Sequence, residues 1–224
     1  MLNQATEFRS RENNYLFRFR GGNNIFHYTR EEVSEALFKY YSSIARRTVQ
    51  DADTIKGYTA GVAEWMRQSY YCENIELGND VIKRFLILCG SVGTGKTTLM
   101  RSIQRFCGEV LAPSDAGFQI GSYSAVDVCE MYKHKFEDFE DVKIIRQILF
   151  LDDVGEEPGE VNSYGNYATP IRDLLMYCYE TDKPVVMTTN LTPQAIAKRY
   201  GERLADRFKE TAKVIVINGQ SYRK

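Results

Sequence analysis

A glycine-rich run whose residue types and spacing are suited to binding phosphate lies in the first half of the chain. Its members are, in order, Gly90, Ser91, Val92, Gly93, Thr94, Gly95, Lys96 and Thr97, and Thr98 follows them. The apolar stretch 85–89 predicts a buried strand before the run, and 98–103 predicts a helix after it. Glycines let consecutive backbone N–H groups turn toward one anion, and the helix dipole strengthens that field. This order predicts a P-loop that binds a nucleoside triphosphate.

Two side chains at the end of the run have roles that an ordinary turn does not need. The Lys96 ammonium would reach the outer phosphates, and the Thr97 hydroxyl would ligate Mg²⁺. Glycine-rich loops also occur as plain turns, and glycines alone would be weak support. Here the glycines, the lysine and the threonine all have the required spacing after a strand, which favours the nucleotide site.

Two carboxylates follow a second apolar strand. Residues 148–151 predict the buried strand, and Asp152 and Asp153 come directly after it. Asp152 would hold Mg²⁺ beside Thr97, and Asp153 would polarise the water that attacks the terminal phosphate. A strand ending in two acids is common by chance. The interval from Lys96, however, leaves room for a helix, a strand and another helix, which favours the pairing of the two motifs.

A third apolar strand is predicted at 184–189, and Asn190 follows it directly. The Asn190 amide would hydrogen-bond the terminal phosphate or the attacking water. The alternative is that Asn190 caps or turns the chain before Thr192 and Pro193, which are good first residues for a helix.

Strands and helices alternate from residue 83 onward. The predicted strands are 84–89, 117–122, 147–152, 184–189 and 213–218. The predicted helices are 96–108, 125–137, 166–181 and 193–210, the last interrupted near Gly201; 137–141 and 155–165 are expected to be acidic loops. This alternation predicts an α/β fold of P-loop NTPase type, with a mostly parallel five-stranded sheet flanked by helices. Ligands of such sheets bind at the carboxyl ends of the strands, where all three motifs fall.

The N-terminal part follows a different pattern, polar and aromatic with weak periodicity up to residue 28. Thr29 and Glu32 then predict a capping box at the start of an amphipathic helix that runs to about Arg47. Asp53 or Thr54 is expected to cap a second helix.

Composition predicts a reduced, cytoplasmic protein. The 224 residues carry a net charge of −1, which gives no overall attraction to nucleic acid or to a membrane. The five cysteines are odd in number and form no C-x-x-C pair, which favours free thiols. The N-terminal residues lack the apolar core of a signal peptide. No apolar run approaches the ~20 residues that a membrane helix needs. The C-terminal end from Gln194 is basic, typical either of a phosphate-binding or partner-binding surface or of a solvated helix face.

The three motifs, together with 191–193 and 200–208, resemble the AAA+ ATPases of the DnaC-type helicase-loader and IstB-type transposition-helper group. The final segment 220–223 also resembles the serine-tyrosine-arginine ending of loader sequences. The resemblance covers about 54–224 and implies an AAA+ ATPase domain there, without a C-terminal helical lid. Residues 1–53 are expected to form a separate, partly helical segment; they do not match a loader's helicase-binding segment.

The resemblance implies a role for each motif. Lys96 and Thr97 match the Walker A residues, Asp152 and Asp153 match Walker B, and Asn190 matches sensor 1. Many AAA+ ATPases carry Glu where this chain has Asp153. The shorter side chain implies slower hydrolysis.

The same resemblance also implies roles for arginines near the C-terminal end of the chain. Arg207 matches the arginine finger that reaches the ATP of a neighbouring subunit, with Arg203 as the second choice, and Arg223 matches the second sensor arginine. The alternative for Arg207 is an ordinary salt bridge to Asp206 or Glu210 on an exposed helix.

These assignments imply Mg²⁺-dependent hydrolysis of ATP to ADP and phosphate, coupled to ATP-dependent self-association. The hydrolysis would control assembly on DNA, preferably single-stranded, or on a replicative helicase. A transposition or phage-replication helper that recruits another DNA enzyme is the main alternative. A small-molecule kinase and a non-hydrolysing, nucleotide-gated scaffold are the others.

Overall fold

A computed structural model describes most of the chain. The described residues are 17–21, 24–45, 51–68, 83–111, 120–144, 148–163 and 165–219. They fall into two compact units, the first formed by Met1–Lys83 with Thr97–Phe118 and the second by Arg84–Lys96 with Gln119–Lys224.

The first unit begins with an antiparallel pair of strands that the sequence did not predict, β1 (Phe17–Gly21) and β2 (Asn24–Tyr28). Helices α1 (Arg30–Ala45) and α2 (Ala52–Gln68) follow and pack against each other. Helix α3 (Lys96–Phe106) continues into a π-helical turn at Cys107–Leu111.

The starts of α1 and α2 test the predicted caps. The Glu32 N–H donates to the Thr29 hydroxyl over 3.1 Å, and the Thr29 N–H donates to the Glu32 carboxylate over 2.7 Å, which confirms the capping box. The predicted cap of α2 was wrong by two residues or more, since the Asp51 carboxylate accepts from the Thr54 N–H at 3.0 Å.

The second unit is built on a five-stranded parallel sheet, as predicted. Its strands are β3 (Phe85–Cys89), β4 (Ile120–Ser124), β5 (Ile148–Val154), β8 (Val185–Thr189) and β9 (Ala212–Val216). Their order across the sheet is β4-β5-β8-β3-β9, and every neighbouring pair is parallel.

Helices of this unit cover one face of the sheet. They are α4 (Ala125–His134), α5 (Phe136–Ile144), α6 (Pro170–Glu180), α7 (Pro193–Tyr200) and α8 (Glu202–Thr211). Their apolar side chains form one core with alternate residues of β3, β5 and β8. Every residue of β3 and β8 is buried, which explains the apolar run of β3 and the three apolar residues at the start of β8.

Two segments expected to be loops are ordered instead. The acidic stretch 137–141 lies in α5, because Phe139 and Val142 are buried on its inner side and their spacing is helical. The segment after β5 contains a short antiparallel pair, β6 (Val161–Ser163) and β7 (Asn166–Ala168). Helix α6 therefore begins at Pro170, four residues later than predicted, with the proline at its first position.

The predicted interruption near Gly201 is confirmed, and it supplies a test of backbone strain. Gly201 joins α7 to α8 with a φ of +94°, and a Cβ there would meet nothing within 4 Å. We expect Gly201→Ala to lower the free energy of unfolding by about 1 to 2 kcal/mol, because only the backbone conformation opposes the new methyl group. Urea unfolding of the full chain measures the change.

Gly57, on the exposed surface of α2, is the matched control for this prediction. A methyl group added there would also meet nothing within 4 Å, but Gly57 lies inside a regular helix. Gly57→Ala should raise the free energy of unfolding by roughly 0.5 to 1 kcal/mol. A Gly201→Ala protein as stable as the wild type would contradict the strain argument.

Candidate nucleotide site

The glycine-rich run forms the loop between β3 and α3, and its backbone takes conformations that favour glycine. Gly93 and Gly95 have φ values of +82° and +99°. At Gly90 a Cβ would lie 2.2 Å from the backbone oxygen of Ile217, a distance that no side chain tolerates. The glycines are therefore needed for the loop's shape, and the closeness of Ile217 ties the start of the loop to the segment after β9.

The Lys96 side chain folds back over this loop. It is only 5% exposed, and its Nζ donates to the backbone oxygens of Gly90 at 2.9 Å and of Ser91 at 2.8 Å. The Thr94 hydroxyl also donates to the Ser91 oxygen, at 2.9 Å. A buried ammonium needs such acceptors, and phosphate oxygens are stronger acceptors than carbonyls. Lys96 is thus held at the loop, in position to exchange its carbonyl partners for an anion.

Hydrogen bonds join the loop to the neighbouring strands. The Gly90 N–H donates to the Thr189 oxygen at the end of β8 over 3.3 Å, and the Ile217 N–H donates to the Cys89 oxygen over 2.7 Å. These bonds bring the carboxyl ends of β3 and β8 together with the segment after β9. The P-loop residues up to Lys96 therefore lie at the same edge of the sheet as the ends of β5 and β8, while Thr97 and Thr98 follow in the first turn of α3.

The two acids stand at the end of β5, as predicted from the sequence. Asp152 is half-buried and Asp153 is exposed. The Thr188 hydroxyl on β8 donates to an Asp152 carboxylate oxygen at 2.5 Å and accepts from the Asp153 N–H at 2.8 Å. Asp153 has a φ of +54°, in the left-handed region. The Asp152 carboxylate and the Asp153 backbone are thereby held at the edge of the sheet that carries the P-loop.

Asn190 lies at the same edge, and of its two side-chain polar atoms the nitrogen has a hydrogen-bond partner among the described residues. Its Nδ2 donates to the Glu156 carboxylate at 2.9 Å, and a turn in which the Glu156 N–H donates to the Asp153 oxygen supports that pair. Its Oδ1 is buried and has no hydrogen-bond partner among the described residues. The capping of α7 belongs to Thr192, whose hydroxyl accepts from the Ala195 N–H at 3.2 Å. An orphaned buried acceptor is costly, so Asn190 Oδ1 is suited to a donor such as water.

Sequence reasoning missed a buried ionic group, Glu157, in the loop after β5. Its carboxylate, 2% exposed, accepts from the Gly155 N–H at 2.7 Å and from the Tyr200 hydroxyl at 2.5 Å. The Arg199 Nε also donates to it at 3.3 Å, and the Arg199 guanidinium donates to the Glu157 backbone oxygen. Burial, and then the bond to Glu157, raise the pKa of Tyr200 far above its ordinary value. No local pattern distinguishes Glu157 from the other acids of the loop, because the side chains that bind it lie on α7.

The two candidate finger arginines lie on α8 and have partners within their own chain. The Arg207 guanidinium lies 4.9 Å from the centre of the Tyr179 ring and 3.7 Å from the Glu210 carboxylate. Arg203 is more exposed, 75% against 38% for the Arg207 side chain, and lies 3.9 Å from Glu180. The salt bridge weighed as the alternative for Arg207 therefore exists, although such exposed pairs add little stability. Arg223 lies outside the described residues.

The comparisons with known proteins agree with this arrangement at the level of the fold. No family model matches the chain. Among curated proteins it is similar to the large subunit of replication factor C from Picrophilus torridus, with 28% identity over 151 residues. That match covers 65% of this chain and 34% of the relative, so the chain spans about a third of that protein's length.

Solved structures match over most of the chain. The crystal structure of DnaI has a TM-score of 0.55 at 21% identity, covering 87% of this chain and 99% of that one. A protein assigned as a primosome component from Streptococcus pyogenes serotype M3 has a TM-score of 0.55 at 18% identity, covering 84% and 98%.

The second unit thus has a P-loop α/β fold with a five-stranded parallel sheet flanked by helices, and DnaI and the primosome component are similar to it in fold. This likeness confirms the predicted resemblance at the level of the fold. No helix in the described part of the chain is long and apolar enough to cross a membrane.

The buried Glu157 group gives a test of how the loop after β5 is held. We expect Glu157→Gln to lower the free energy of unfolding by about 2 kcal/mol, because Arg199 loses its buried ionic partner while the amide keeps an acceptor oxygen. Thermal or urea unfolding measures it. Glu160→Gln, an exposed acid in the same loop, should change the value by no more than about 0.5 kcal/mol. Equal effects of the two substitutions would contradict a structural role for Glu157.

Proposed function

We propose that the chain is an ATPase of DNA replication that binds ATP with Mg²⁺ and hydrolyses it to ADP and phosphate. The observation that carries the proposal is the P-loop itself. Its glycines take backbone conformations suited to an anion, and the buried Lys96 ammonium lies against its carbonyls. The P-loop fold and the acids at the same sheet edge support ATP as the anion, in a domain that we propose to be of AAA+ type. We propose that the ATPase domain spans 54–224 and that 1–53 form a separate segment.

The residues present fit the nucleotide and its metal ion. The N–H groups of 91–95 and the Lys96 ammonium would hold the phosphates, with Gly90 shaping the start of the loop and Thr98 near the start of α3 adding a donor. Asp152 and Thr97 offer carboxylate and hydroxyl oxygens, the ligand types that Mg²⁺ prefers. Bound there, Mg²⁺ would neutralise charge across the outer phosphates.

The remaining steps belong to the side chains at the ends of β5 and β8. The exposed Asp153 carboxylate would accept a hydrogen bond from the attacking water and orient it. The orphaned Asn190 Oδ1 would accept a second hydrogen bond from that water. Asn190 must then share its amide between Glu156 and the site, so the loop after β5 would respond to the presence of nucleotide.

Arg207 would complete the site of a neighbouring subunit, with Arg203 as the second choice and Arg223 acting as the second sensor. The weak intra-chain contacts of Arg207 can be exchanged at little cost, which supports this role. The ATP-bound state is therefore a homo-oligomer.

The proposed partners are DNA, with single strands favoured, and a replicative helicase or another DNA enzyme. The names of the similar proteins support a replication role: replication factor C, DnaI and a primosome component. A transposition or phage-replication helper is the alternative, since it would use the same chemistry. A pull-down that recovers a transposase and no helicase would favour it.

The rate of phosphate release from ATP, compared between the wild type and a Lys96 variant, tests whether the chain hydrolyses ATP. We expect Lys96→Ala to lower the rate of phosphate release at least about 100-fold, because a positioned charge on the outer phosphates is lost. Lys39→Ala removes a lysine from the surface of α1 and should leave the rate unchanged. Equal release by the wild type and Lys96→Ala would refute an ATPase. Release that requires an added small-molecule acceptor would indicate a kinase.

Mixed subunits test the action of Arg207 in trans. Asp153→Asn and Arg207→Ala should each be inactive alone, and mixing them should restore part of the hydrolysis, because one class of site then holds both intact groups. Mass measurements with ATP, Mg²⁺ and single-stranded DNA should show a heavier species than without ATP. If the mixture stays inactive while Arg203→Ala complements Asp153→Asn, the finger is Arg203.

A further inference from the structure

Strands β5 and β8 lose their regular pairing at the two acids. Leu151 pairs with Met187, and the next pair is Val154 with Thr189, so two residues of β5 lie opposite the single residue Thr188. This is the arrangement of a β-bulge, which interrupts the backbone ladder and redirects side chains. The interruption falls on the two residues to which hydrolysis is assigned.

The Thr188 hydroxyl bridges the interruption. It has one proton to donate, and a backbone N–H can only donate, so the direction of both bonds is determined. The hydroxyl accepts from the Asp153 N–H at 2.8 Å and must give its own proton to the Asp152 carboxylate, 2.5 Å away. The second bond has a charged acceptor and is therefore of the stronger kind. Thr188 itself is fully buried, so its hydroxyl has these protein partners in place of water.

The neighbouring threonine, Thr189, has different hydrogen-bond partners. The Thr189 hydroxyl donates to the Val154 backbone oxygen at 2.6 Å and accepts from the Leu191 N–H at 3.0 Å. Both of its partners are backbone groups that continue the sheet beyond the bulge. Thr188 is the member of the pair that contacts a catalytic carboxylate.

We propose that Thr188 is a positioning residue for hydrolysis, a role that rests on the proposed function of the site. Its bond to Asp152 orients the carboxylate assigned to Mg²⁺. Its bond to the Asp153 N–H holds that residue in the left-handed conformation, φ +54°, and so sets the backbone from which the second carboxylate projects. One hydroxyl thus sets the orientation of the metal-binding acid and of the water-orienting acid together.

Two substitutions separate the hydroxyl from the bulk of the side chain. Thr188→Val keeps the shape and removes both hydrogen bonds, whereas Thr188→Ser keeps the hydroxyl. We expect Thr188→Val to lower kcat for ATP hydrolysis by about 10- to 100-fold, as misplaced catalytic groups do. KM for ATP should change less than about threefold, because the P-loop is intact, and Thr188→Ser should retain kcat within about threefold. A wild-type kcat in Thr188→Val, or an equal loss in both variants, would overturn the proposal.

A measurement without nucleotide tests the same bond. Amide hydrogen exchange at Asp153, followed by NMR, should be at least about tenfold faster in Thr188→Val than in the wild type or Thr188→Ser. Exchange that is equally slow in all three would overturn the proposal. Unfolding experiments on each variant check that it folds, and Thr188→Ala replaces Thr188→Val if that variant does not.

The two sets of measurements distinguish the possible failures. A wild-type protein that releases no phosphate would refute the proposed function, and the exchange data would then decide whether Thr188 orders the two acids. Binding of ATP with and without Mg²⁺ gives the remaining readout. In Thr188→Val the gain in affinity from Mg²⁺ should be smaller than in the wild type, and an unchanged gain would contradict the orienting of Asp152.

Discussion

The parallel pairing of β8 with β3 on one side and with β5 on the other is the constraint on which the site depends. Parallel strands end at the same edge, so the residues that follow each of the three strands are brought together. The bond from the Gly90 N–H to the Thr189 oxygen joins the P-loop to β8, and the Thr188 hydroxyl joins β8 to the acids. The central strand β8 therefore contacts both the P-loop and the two acids, and Asn190 follows it directly.

Buried polar contacts connect this edge to the helices behind it. Glu157 receives hydrogen bonds from Arg199 and Tyr200 on α7, while the adjacent Glu156 pairs with Asn190. The loop between β5 and α6 is thus attached both to the site and to the helix that follows β8. Because Glu156 and Glu157 are adjacent in this loop, a change in the hydrogen bond between Asn190 and Glu156 would act directly on the loop.

Most of the fold was predictable because its signals are local. Apolar runs bounded by turns located the starts of the five strands of the parallel sheet to within three residues. Pro193 marked the start of α7, and Gly201 marked the break before α8. The errors have equally local causes. The pair β1 and β2 has weak alternation, and 161–168 forms a hairpin between residues whose pairing the periodicity does not reveal.

The sequence by itself determined the P-loop, the two acids and Asn190, because each consists of special residue types placed directly after an apolar strand. Only the tertiary structure decided what holds them. The partners of Asp152, Glu157 and Asn190 lie 36, 42 or 43, and 34 residues away along the chain. A threonine or a glutamate at such a distance resembles any other until the sheet and helices bring it to its partner. Hydrogen bonds depend on proximity in space, which the spacing of residues in a sequence does not contain.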